Sequence, residues 1–213
     1  MLRTAQQKIK NIVYPHGKVH QSYGKYVGWS CISNLIISTE SVLSTHSMLS
    51  MIGQTSSDIN ISVNYIGKDI FGQIGSLYYM NKMGKKADQE PSKFVKYSMG
   101  LQQSAIFMEC ATPLLPISMF IPVAGIANIS KNISFAGVGA INAKIISKLA
   151  EENNVGEIYA KIVVLNTLGS TIGMGIGLAI AAHIPDHTMR LCLMPCLAIA
   201  RIYTYNKSIE GLL

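Results

Sequence analysis

The longest uncharged run of the chain, residues 162–184 (IVVLNTLGSTIGMGIGLAIAAHI), limits what it can fold into more than any other feature. At about 1.5 Å per residue, a helix of this length matches the hydrocarbon core of a bilayer. Gly169, Gly173 and Gly177 recur at every fourth position, so on a helix they form one smooth groove, which Ser170 and Ala181 extend. A second backbone can approach closely along such a groove. Each helical glycine costs about 0.8–1 kcal/mol relative to alanine in water, so the repetition calls for a compensating contact. In lipid the helix persists anyway, because an unpaired backbone group there costs more than the glycine does. A strand at 162–165 feeding a dinucleotide-binding loop fails on spacing. Such loops read G-x-G-x-x-G with an acidic residue about 20 positions on, whereas these glycines keep the helical period and Asp186 comes too soon.

The other segments fit around that helix. With 49% hydrophobic and 14% charged residues, the 213-residue chain is too apolar for disorder and long enough for one compact domain. Its prolines and glycines are spread through apolar segments, as membrane bundles tolerate. The net charge of +7 does not point to nucleic acid, since the lysines form no dense patch and no recognition motif accompanies them. Positive loops facing one side of a membrane account for it. Residues 1–39 contain no Asp or Glu but carry Arg3, Lys8, Lys10, Lys18 and Lys25, the acid-poor, basic character of mitochondrial import signals. The expectation is an all-α, multi-helical membrane bundle with kinked, glycine-rich helices: a basic N-terminal segment, 1–28, then a single helical domain, 29–213.

Within that domain, residues 29–52 are apolar but serine-rich and read as a half-buried helix holding Glu40 in a snorkelled or paired position. Residues 60–80 predict a helix with close-contact glycines at Gly67, Gly72 and Gly75, and the polar stretch 81–96 predicts a loop. Residues 104–129 predict a membrane helix kinked or broken by Pro113, Pro116 and Pro122. Residues 131–150 are amphipathic, with Phe135, Val138, Ile141, Ile145 and Leu149 on one face and a solvated or headgroup-facing stripe at Lys144 and Lys148. The apolar run 189–203 is short for a span, with Arg190 and Arg201 expected to snorkel from its ends.

Catalytic constellations are missing. The sequence has no G-x-S-x-G, P-loop or H-E-x-x-H, and its eleven acidic residues form no evident pair, so no catalytic residue and no cofactor are assigned. His183, His187, Cys192 and Cys196 are the residue types of a zinc site, but Pro185 and Pro195 interrupt them. Small apolar helix positions explain the cysteines better, and no metal is expected. All four cysteines read as buried free thiols.

YPHGKVHQSYGKYVGWS, SVLSTHSMLSMIG, YIGKDIFGQIGSLYY, ADQEPSKFVKYS, MECATPLLP, AGIANISKNIS and ENNVGEIYAK follow one another in an order that resembles the root UV-B sensitive family over most of the chain. On that resemblance Lys68, Asp69, Gly72 and Gly75 correspond to one family block, and Asp88 and Lys93 to the next. Glu109, Pro113 and Pro116 then match an E-x-x-x-P-x-x-P block, and Asn128 and Lys131 an N-x-x-K block. INAK at 141–144 replaces a Thr-Arg pair typical of the family. The chain also ends short of the family's long C-terminal region, so activity housed there is not expected. The resemblance implies an organellar, membrane-associated protein linked to vitamin B6 homeostasis, with no agreed enzymatic reaction.

The functional expectation is a non-catalytic integral membrane protein. Its leading form is a structural accessory subunit of a mitochondrial inner-membrane complex such as a respiratory-chain assembly, with another organellar membrane as the alternative compartment. Its partners would be membrane lipids and other membrane-protein subunits, not nucleic acid, and Gly169, Gly173 and Gly177 its helix-packing surface. The alternative is a carrier or binder of a small anionic metabolite, vitamin B6-related by the resemblance. Lys68, Lys131, Lys144 and Lys161 would then line a cavity with Asp69 or Glu109 as counter-charges and Asn128 as a buried polar group.

Overall fold

The structure is a computed structural model describing residues 13–53 and 58–213, so Arg3, Lys8 and Lys10 of the basic segment lie outside it. Among the described residues six long helices follow in order: α1 (Tyr23–Gly53), α2 (Asp58–Gln89), α3 (Pro91–Ala111), α4 (Phe120–Leu149), α5 (Val155–His183) and α6 (His187–Ile209). Among the described residues there is no strand, only one isolated antiparallel bridge, Val19 to Ala150. The all-α expectation holds. Among the described residues one helix, α5, is long and apolar enough to cross a membrane, and only 22% of its apolar window is buried within the bundle.

Contacts between the helices fix their directions. The glycine stripe of α5 faces α1, with Gly169 against Cys31, Gly173 against Leu35, and Gly177 against Thr39 and Val42. Both numberings rise together, so these helices run parallel. A Cβ on Gly169 would lie 2.5 Å from the Cys31 carbonyl oxygen, and one on Gly173 would overlap the Leu35 carbonyl. The two backbones touch, which no residue larger than glycine permits. Hydrogen bonds form across this contact: Thr39 Oγ1 donates to Gly173 O at 2.9 Å, Ser30 Oγ to Asn166 Oδ1 at 3.0 Å, and Cys31 Sγ to Leu165 O at 3.2 Å. Helix α6 returns antiparallel along α1, pairing Arg190 with His46 and Arg201 with Ser33. Glu109 with Lys131 and Ser98 with Gly137 make α4 antiparallel to α3, and α2 lies parallel to α4. Consecutive helices therefore alternate up and down.

The connections correct two expectations. The stretch 81–96 is helical except at Glu90, because its Lys, Met, Ala and Gln residues are good helix formers and only Pro91, at the first turn of α3, forces a restart. Its polarity therefore does not mark a loop. Residues 104–129 are not one kinked span. Helix α3 stops at Ala111, two 3₁₀ turns cover Thr112–Leu114 and Ile117–Met119, and α4 begins at Phe120. Pro113 and Pro116 cannot donate to a helical ladder, whereas Pro122 occupies the first turn of α4, where no donor is needed.

The main apolar core includes Tyr23, Phe94, Ile141, Ile145, Leu149 and Ile158 and lies where α1, α3 and α5 begin and α4 and α6 end. Ile141, Ile145 and Leu149 share the inner face of α4 as their spacing predicts, whereas Phe135 points outward at 53% exposure. A second cluster around Leu43 and Ile106, and a third around Met48 and Phe120, continue towards the other end. Of the cysteines only Cys110 is buried. Cys31 is half-buried and Cys192 and Cys196 are exposed, because α6 turns its arginine face inward and presents the cysteine side outward. Among the described residues no group of three or more His, Cys, Asp or Glu side chains is arranged to hold a metal.

The α1–α5 contact gives a paired prediction. Gly173→Ala should lower stability in mild detergent by about 1–3 kcal/mol through overpacking. Gly175→Ala, which points into open space on the same helix, should be neutral or stabilise by up to about 1 kcal/mol. Thermal unfolding of the two variants measures the difference.

Candidate functional site

The interior of the bundle between its apolar clusters is polar. Helix α1 buries Ser30, Ser33, Thr39, Glu40, Ser44 and Ser47. Burying so many hydroxyls is tolerable because a serine or threonine can bond back to its own helix, as Ser44 does to Ser41 O and Thr39 to Leu35 O. Charged groups have no such recourse and are met from neighbouring helices.

Glu40 is fully buried and accepts from Gln103 Nε2 at 3.1 Å. Gln102, the residue before Gln103 on α3, accepts through Oε1 from Arg201 Nη1 at 3.4 Å. Arg201 Nε also donates to Ser33 O and Ser33 Oγ, each at 3.0 Å. Further along α3, Glu109, also fully buried, pairs with Lys131 of α4 at 2.8 Å. One turn earlier on α4, Asn128 Nδ2 donates to Lys68 O and to Asp69 Oδ1, each at 3.0 Å, and Lys68 Nζ bonds Asp69 Oδ1 at 2.7 Å. Gly72 makes room for this, since a Cβ there would overlap the Asn128 and Asn132 amides. The seam thus enters every helix except α5. One oxygen of Glu40 and one of Glu109 have no hydrogen-bond partner among the described residues. A buried acceptor without a donor is rare in folded proteins.

The expected site residues divide accordingly. Lys68, Asp69, Glu109, Asn128 and Lys131 come together along α2, α3 and α4. Lys144 does not join them. It is exposed and pairs with Asp88 at 2.6 Å near the end of the bundle, as the solvated-stripe expectation has it. Lys161 lies half-buried one turn beyond Glu157 at the start of α5, away from the seam. The four lysines therefore do not line one cavity, because Lys144 lies well along α4 from Lys131, level with Asp88, and Lys161 stands on α5. Gly169, Gly173 and Gly177 are buried, but against α1 of the same chain.

Sequence reasoning missed Gln102 and Gln103 and misread Arg190 and Arg201. Neither arginine snorkels: Arg190 is 2% exposed and Arg201 6%. Ser33 of α1 and Gln102 of α3 supply acceptors for Arg201, and His46 and the Pro185 carbonyl supply them for Arg190, so both guanidiniums turn inward. The available signal was that these are the chain's only arginines besides Arg3, set in an apolar segment.

The Glu109–Lys131 pair yields a double-mutant test. Lys131→Met leaves a buried carboxylate uncompensated and should cost about 3–5 kcal/mol, whereas Lys131→Met with Glu109→Gln should recover most of that loss. Equal destabilisation in single and double variants would show that the pair does not act as a unit.

Residues 2–212 match the vitamin B6 photo-protection and homoeostasis domain. The chain is 27% identical over 200 residues to "Protein root UVB sensitive 2, chloroplastic" of Arabidopsis thaliana, covering 93% of this chain and 46% of that protein. It is 24% identical to "Protein root UVB sensitive 6" of the same plant, covering 94% and 41%. To "RUS family member 1" of Dictyostelium discoideum it is 23% identical, covering 82% and 34%. The chain thus spans less than half the length of these relatives. No solved structure matches it. A domain match across nearly the whole chain, together with blocks in family order that place Lys68, Asp69, Asn128, Glu109 and Lys131 along one seam of the bundle, makes this chain a member of the root UV-B sensitive family.

Proposed function

We propose that the chain is a non-catalytic integral membrane protein of an organelle, acting as a structural accessory subunit of a membrane assembly. The observation that carries this reading is inverted polarity. Glu40, Glu109, Arg201 and Lys68 are buried, while Val63, Ile66, Ile70, Ile74 and Leu77 of α2 and Val164, Leu168, Ile172 and Leu178 of α5 are exposed. The α2 residues recur at helical spacing and form one outward apolar stripe. Surfaces of this kind suit lipid or the helices of other subunits.

Charge distribution supports the same reading. Lys18, Lys25, Lys93, Lys96, Lys148 and Lys207 all belong to the end where α1, α3 and α5 begin. The opposite end, made by segments 47–53, 112–122 and 183–190, carries no lysine and a single arginine, the buried Arg190. One basic end and one neutral end is the asymmetry that orients membrane proteins, with the basic end inside. The acid-poor start favours the mitochondrial inner membrane and a respiratory-chain assembly, and the chloroplastic relative keeps a plastid membrane as the other compartment.

A second reading, a binder or carrier of a small anion related to vitamin B6, draws on the family's domain description and on the seam. Ionisable residues buried in a membrane bundle mark functional paths by default, and the unpartnered oxygens of Glu40 and Glu109 are acceptors that a protonated ligand group would satisfy.

Two measurements separate these readings. The protein should stay in the membrane pellet after alkaline carbonate extraction, and release would end the integral-membrane reading. On a native gel in mild detergent it should co-migrate with a large respiratory or photosynthetic complex. Migration as a monomer or small oligomer would sink the subunit role and leave the binder, which titration with pyridoxal 5′-phosphate against Glu109→Gln then tests.

A further inference from the structure

At the lysine-free end, Arg190 sits where α6 leaves the α5–α6 turn. It is 2% exposed, and among the described residues no carboxylate pairs with it. Its Nη1 donates to His46 Nδ1 at 2.6 Å and its Nη2 to Pro185 O at 2.7 Å, while its Nε has no partner. His187, one turn earlier, also has a buried and unpartnered Nδ1. The acidic residue beside them, Asp186, has its carboxylate engaged in capping α6, accepting from Met189 N at 2.9 Å. A buried guanidinium is always charged, so this pocket of the fold holds a positive charge with no protein anion.

The arginine also fixes its neighbour. A guanidinium can only donate, so Nδ1 of His46 is the acceptor and the ring proton is on Nε2. His46 is itself exposed and lines a groove of about 470 Å³ between α1 and α5, together with Ser38, Ser41 and Thr45 on one side and Met174 and Leu178 on the other. No acidic side chain lines it. The groove therefore offers hydroxyls and an imidazole N–H backed by a buried positive charge, beside an apolar wall on the helix long enough to span a bilayer.

We propose that this groove binds a membrane lipid with an acidic, phosphate-bearing headgroup. The headgroup lies at the His46 and Arg190 end, near the end of α5, and an acyl chain runs along Leu178 and Met174. Its chemistry differs from that of the seam, where Lys131 pairs with Glu109 and Lys68 with Asp69, and it rests on the membrane reading above. Charge complementarity selects the headgroup, and the position beside the exposed face of α5 selects a lipid over a soluble anion.

The test is native mass spectrometry of the purified full chain in uncharged detergent, offered equal amounts of phosphatidylglycerol and phosphatidylcholine with identical acyl chains. Phosphatidylglycerol should be retained about tenfold over phosphatidylcholine, a difference of about 1.4 kcal/mol. Arg190→Gln should bring the ratio towards one. Should that variant not fold, Thr45→Glu serves, because Thr45 lines the groove beside His46 and a carboxylate there repels the headgroup. Equal retention of both lipids by the wild-type protein, or an unchanged ratio in a folded variant, overturns the proposal. Inorganic phosphate is a third arm: if it displaces phosphatidylglycerol at millimolar concentration, the site belongs to a free anion and the lipid assignment is wrong. Carbonate extraction is read on the same preparation. Release by carbonate with the lipid preference intact would end the membrane reading alone, whereas loss of preference in a carbonate-resistant protein would end this one alone.

Discussion

The backbone contact between α1 and α5 is the constraint on which the rest of the bundle depends. Glycine at 169, 173 and 177 brings the two helix axes close enough for carbonyl oxygens of α1 to rest on bare Cα positions of α5. Dispersion across such a contact is large because so many atoms meet at short range, and the hydrogen bonds of Thr39, Ser30 and Cys31 add direction to it. With one side of α1 closed in this way, the remaining sides of that helix are left for α3 and α6. The polar residues of α1 then determine which groups those helices must bring.

This explains why the buried charges are distributed as they are. Glu40 and the serines of α1 are met by glutamines from α3 and a guanidinium from α6, so no single helix carries a self-sufficient network. The Glu109–Lys131 pair joins α3 to α4 in the same manner, and the Asn128 amide joins α4 to α2. Each bond ties together helices that are apolar on their outer faces. In water that arrangement would be costly twice over, through desolvated charge inside and exposed hydrocarbon outside. In a bilayer the outer cost vanishes and the inner bonds have no competing solvent, which is the physical basis of the membrane assignment proposed here.

Function follows the same division. The family blocks contribute Lys68, Asp69, Glu109, Asn128 and Lys131 to the seam, while the groove beside His46 and Arg190 lies at another level of the bundle and is built from α1, α5 and α6. Paired charges inside a bundle fix helix register, whereas an unpaired charge under a surface groove attracts a counter-ion. The two regions thus have different physical roles.

The sequence by itself determined the helical class, because uncharged runs at helical period and glycines at every fourth position leave no alternative that satisfies the backbone. It also determined the close-contact face of α5 and, through blocks in family order, Lys68, Asp69, Glu109, Asn128 and Lys131 of the seam, but not Gln102, Gln103 or the inward turn of Arg201. It misjudged 81–96 because a polar helix and a polar loop share a composition, and 104–129 because proline marks a break without saying whether the chain kinks or turns back. Only the tertiary structure decided which helix the glycine stripe meets, since a smooth groove accepts any partner of suitable shape. It alone decided that Arg190 and Arg201 point inward, because the acceptors that draw them lie on helices more than 90 positions away in Arg201's case and 144 in that of Arg190 and His46. Local sequence encodes the capacity to bury a charge, but the partner that makes burial affordable comes from another part of the chain.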